Sequence, residues 1–182
     1  MRVFAAAAFL ISASAPAHAV EISNFRSGLA CTNSPTGDAA EGWICHDTEE
    51  VLVTDLGRCE YDGRILPCTW VGFEFDYRNA RPGDRLECTL EQSQPTAFGN
   101  PQEQLSEPTT SQDFVLPLDK PEGHFYNSQY FTFAVRAGDK ARLLTTGRCR
   151  FEGKVVFEYT YRLQFPKPPE QAAAGRAPGP AQ

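Results

Sequence analysis

"GRCRFEGKVVFEYTYRLQF" fills residues 147–165, and its second half decides the fold class. Phe157, Tyr159, Tyr161, Leu163 and Phe165 alternate with Glu158, Thr160, Arg162 and Gln164. Strict period two sends one set of side chains to a core and the other to water, which is the signature of a half-buried β-strand. The first half sets Glu152-Gly153 between two strand-like runs, where a tight hairpin needs positive φ. The phrase occurs twice. "GRCEYDGR" at 57–64 repeats the Gly, Arg, Cys and second Gly in the same frame, with Asp62-Gly63 at the turn. The strand that follows is similar too, "FEFDYR" (73–78) against "FEYTYR" (157–162), with "ILPCTW" (65–70) extra in the first copy.

Working outward, the same alternation appears in "RLECTLE" (85–91), "FVLPL" (114–118) and "YFTFAVR" (130–136). "EVLVTD" (50–55) reads as another strand. "RPGDR" (81–85) and "RAGDK" (136–140) form a second repeated connector, and no window sustains a helical stripe. The two connectors stand in different order relative to the aromatic strands, so the repeats are building blocks of one domain and not tandem domains. Many short strands with turn chemistry between them predict an all-β chain: a single antiparallel β-sandwich over 20–165, broadly immunoglobulin-like and disulfide-stabilised. Two segments fall outside that pattern. The polar stretch 91–113 reads as one long loop of the kind that carries function, and the Pro/Ala-rich stretch 166–182 as a flexible tail with little to bury.

The N-terminus reads as a signal peptide over 1–19. Arg2 is followed by the apolar run "VFAAAAFLI" (3–11) and by "AHA" (17–19) at a cleavage site. The run is too short to span a bilayer, which takes about 20 residues. A soluble periplasmic or secreted protein without membrane insertion is the expectation. The formal charge of −6, with no basic cluster, argues against nucleic acid as a partner.

Six cysteines in an exported chain read as disulfides. No Cys-x-x-Cys pair suggests zinc. Cys88 shares the inward parity of Leu86 and Leu90, and Cys149 that of Leu143, so Cys88–Cys149 is the expected buried bridge. Cys59 and Cys68 flank the first hairpin turn, and Cys31 with Cys45 is what remains. Trp70 is placed to cover a disulfide.

Chemistry is sparse. His46 and His124 are the histidines left after cleavage, and no Gly-x-Ser-x-Gly elbow presents a nucleophile. "CHDTEE" (45–50) has the composition of a cation site, but runs of acids are ordinarily solvated loops, and no metal or cofactor is assigned. "EGHFYNSQY" (122–130) reads as an aromatic loop suited to gripping a protein, through His124, Phe125, Tyr126 and Tyr130, with Phe98 from the long loop beside it. The expected function is an exported, non-catalytic module that binds an envelope or extracellular protein. A small inhibitor of a secreted hydrolase and a metal- or His-dependent envelope enzyme are the alternatives.

Overall fold

The computed structural model describes residues 18–35, 37, 39–53, 57–61, 64–96, 107–132 and 142–165. They form an all-β fold of two sheets, one curled into a half-barrel. The strands are β1 (Glu21–Cys31), β2 (Trp43–Asp47), β3 (Glu50–Leu52), β4 (Gly57–Tyr61), β5 (Arg64–Arg78), β6 (Arg85–Thr96), β7 (Thr109–Pro117), β8 (Glu122–Thr132), β9 (Arg142–Phe151) and β10 (Lys154–Gln164). The first sheet runs β2-β1-β5-β4, with β8 also on β5; the second runs β3-β10-β9-β6-β7. No helix among the described residues is long and apolar enough to cross a membrane.

Alternation dictates which face is buried. Val71, Phe73, Phe75 and Tyr77 of β5 face inward against Phe157, Tyr159, Tyr161 and Leu163 of β10, and all eight are buried. Phe25 stacks on Phe157 at 4.6 Å between ring centroids, and Phe73 lies 4.9 Å from Tyr159. The Tyr161 hydroxyl donates to the Gly72 carbonyl, a cross-sheet hydrogen bond inside the core. Burial pushes the phenols of Tyr159 and Tyr161 well above the ordinary range, so both stay protonated.

Both copies of the repeated phrase form hairpins, β4–β5 and β9–β10. Glu152 (φ 47°) and Gly153 (φ 79°) make the second turn with positive φ at both central residues. Asp62 and Gly63, at the first, lie outside the described residues. The three disulfides are Cys31–Cys45, Cys59–Cys68 and Cys88–Cys149.

Several expectations need correction. The fold is not wholly antiparallel: β3 pairs parallel with β10, Arg162↔Glu50 to Gln164↔Leu52. Residues 91–113 are not one loop, because β6 runs to Thr96 and β7 starts at Thr109. Polar residues disguise these ends, although both pair with neighbouring strands and Gln92 is buried. The stretch 122–130 is not a loop either. It lies in β8, paired residue by residue with β5 from Arg78↔Glu122 to Cys68↔Thr132. The first three residues of "CHDTEE" belong to β2. The segments 1–17, 133–141 and 166–182, and Phe98, lie outside the described residues.

Candidate binding cleft

Two strands lie end to end along one edge of β5. Cys68 pairs with both Gly57 of β4 and Thr132 of β8, so β4 and β8 occupy opposite edges. Val71 likewise pairs with both Leu29 of β1 and Gln129 of β8. β1 therefore shares an edge with β4, and it leaves β5 at Val71 before β4 joins at Cys68. Thr69 and Trp70 stand at the gap. Past it, β1 continues as the partner of β2, Ala30↔Ile44 and Cys31↔Trp43.

A cleft of about 590 Å³ opens where the strands part. Its apolar lining is Leu29, Ala30, Ala39, Leu52 and Trp70; its polar lining includes Thr48, His46 and Glu50. A mostly apolar concavity of this size with a few polar groups suits a side chain cluster or a short extended segment. Cys31–Cys45 ties the β1–β2 wall, and Trp70 packs with Ala39, Cys59 and Cys68 in a small cluster of its own. Tyr130 meets the Trp70 ring edge-on at 5.0 Å, and Trp70 Nε1–H donates to the Arg58 carbonyl at 3.2 Å.

A polar network holds the β2 wall in place. Glu74 sits on the outward parity of β5, yet is only 6% exposed. Its Oε2 accepts from the Ile44 backbone N–H at 2.9 Å, and Oε1 accepts from Arg26 at 3.2 Å. A β-bulge in β1, with Asn24 at φ 52°, brings Arg26 opposite Glu74. Beside it, Asp76 accepts from Asn24 at 2.7 Å and pairs with His124 Nδ1 at 2.9 Å. Those two hydrogen bonds, Asn24 first, hold the Asp76 carboxyl below the usual aspartate range.

The residues singled out from sequence divide between two faces of β8. His124, Tyr126 and Tyr130 lie on the outer parity, whereas Phe125 turns inward and stacks on Phe75 at 5.2 Å. Tyr126 and Ser128 hydroxyls donate to the Ala39 carbonyl at 2.7 and 3.2 Å, so they hold the segment that borders the cleft. His124 Nε2 stands 4.0 Å from Glu74, so both ring nitrogens face carboxylates, whereas a Ser-His-Asp arrangement turns one towards a nucleophile. In "CHDTEE", His46 reaches the cleft, while Glu49 and Glu50 pair with Arg162 of β10. Among the described residues, no group of three or more His, Cys, Asp or Glu is arranged to hold a metal ion. Sequence reasoning missed Leu29, Ala30 and Leu52. The available signal was "EVLV", where Val51 and Val53 are buried and Leu52, on the opposite parity, is apolar and 55% exposed.

No known family model matches this chain, and no curated protein is detectably related to it.

Proposed function

We propose that the protein is an exported, non-catalytic binding module whose cleft at the β1/β4 parting grips an extended apolar segment of an envelope or extracellular protein. The observation that carries this reading is the cleft itself, apolar-lined and bordered by hairpins that two disulfides brace. Export is supported by the N-terminal segment and by three disulfides, which persist in oxidising compartments. Cleavage after Ala19 would remove His18 and its 2.8 Å contact with Asp84, and Asp84 would keep the Arg81 N–H at 2.7 Å. We also propose an immunoglobulin-like sandwich. The strand orders β1-β5-β8 and β3-β10-β9-β6-β7 support it, because they have the crossing pattern of a Greek key.

The test places a photo-cross-linker at residue 52, in the cleft, and separately at residue 160, on β10 of the same sheet but outside the cleft lining, in the chain 20–182 inside its own host. One partner captured from 52 and not from 160, and lost when Ala30→Trp fills the cleft, is the expected result. Equal capture from both positions, or capture that survives Ala30→Trp, would sink the reading. His46→Ala with His124→Ala should leave capture intact.

A further inference from the structure

We propose that the chain's own C-terminal segment, 166–182, occupies the cleft in the absence of a partner; this rests on the cleft as the binding surface. β10 delivers the segment to the cleft wall. Its last residue, Gln164, pairs with Leu52, one of the cleft-lining residues. Neighbouring strands lie about 4.8 Å apart. Val53 N–H donates to the Gln164 carbonyl at 2.9 Å and Phe165 is buried, so the exit point is pinned there. Because β3 and β10 are parallel, the chain leaves heading as β3 heads towards β4, whose first residue, Gly57, lines the cleft.

The composition suits the site. "PKPPEQAAAGRAPGPAQ" carries five prolines and no aromatic or large apolar side chain. Polyproline II rises about 3.1 Å per residue, so six residues reach roughly 19 Å. Such segments are already extended and lose little entropy on docking to a groove with an aromatic wall, here Trp70. Lys167 is the first charge after Phe165, and the cleft rim carries Glu50. A short tether holds its end at an effective concentration on the order of millimolar, so weak contacts suffice. The segment acts as a built-in competitor that any partner must displace.

Amide and indole NMR spectra of 20–182 and 20–165 provide the test. Truncation should shift Ala30, Leu52 and the Trp70 indole N–H. A synthetic 166–182 peptide added at millimolar concentration to 20–165 should move these signals back, and Leu52→Arg should abolish that response. Shifts confined to residues next to Phe165, or a scrambled peptide that acts equally well, would overturn the proposal. So would a peptide that moves signals elsewhere. If partner cross-linking at residue 52 succeeds while the peptide moves nothing, only the tail proposal fails. If the peptide docks and no partner is captured, the partner reading fails instead.

Discussion

The β4–β5 and β9–β10 hairpins start from the same phrase and end in different company. Each pairs its two strands antiparallel, and each sends an aromatic strand into the core. Cys59 then bonds to Cys68 of its own hairpin, nine residues on. Cys149 instead bonds across to Cys88 of β6, 61 residues away, where the two are directly paired. The matching glutamates diverge as well. Glu74 is buried and bonded to the Ile44 N–H of β2 and to Arg26 of β1, whereas Glu158 lies exposed on the second sheet, paired with Arg148. A local phrase fixes a local turn; the neighbouring strand decides what the outward side chains meet.

The comparison can be broken at four places, the largest effect first. Replacing Cys88 and Cys149 with Ala should cost about 4 kcal/mol, against about 2.5 for the Cys59/Cys68 pair, because the longer loop constrains the unfolded chain more. Denaturant melts of both double variants check this, and equal losses would show that the hairpin bridge does more than close its loop. Glu74→Ala should cost about 2 kcal/mol by stranding the buried Ile44 N–H and freeing Arg26. Glu158→Ala should leave the melt unchanged, as exposed ion pairs contribute little.

The two leading glycines sharpen the contrast. A Cβ at Gly147 would run into the Tyr159 ring, whereas at Gly57 it would meet Trp70 Cδ1 at 3.0 Å. Gly147→Ala should therefore cost about 2 kcal/mol and Gly57→Ala about 1 kcal/mol, read from thermal unfolding. The smallest effect separates Asp76 from its counterpart, Thr160. The folded Asp76 carboxyl titrates below its unfolded value. Its contribution is complete above that value and is lost as pH falls through the folded one. The stability gap between wild type and Asp76→Asn should be widest near neutrality and close at low pH; Thr160→Val should show no such trend.

Much of this was legible because alternation is strict where both faces are decided. β10 and the inner half of β5 could be read directly, and so could the inward parity that aligns Cys88 with Cys149. β1 could not. Its bulge at Asn24 breaks the period that a strand reading depends on, and Gly28 leaves a position without a side chain. β8 looked like a loop because Gly123, Asn127 and Ser128 are turn formers set among its aromatics, yet its backbone is fully committed to β5. The cleft was illegible for a different reason. It arises where two strands share one edge of β5, and that arrangement depends on pairings that no single window contains.

The order of the disulfides has a consequence for biosynthesis. Along the chain the cysteines pair first with second, third with fourth, and fifth with sixth. In a chain that emerges N-terminus first into an oxidising space, the correct partner of each still-unpaired cysteine is the next one to arrive. Oxidation in order of arrival yields the native set, with no wrong bridge to be undone by slow thiol–disulfide exchange.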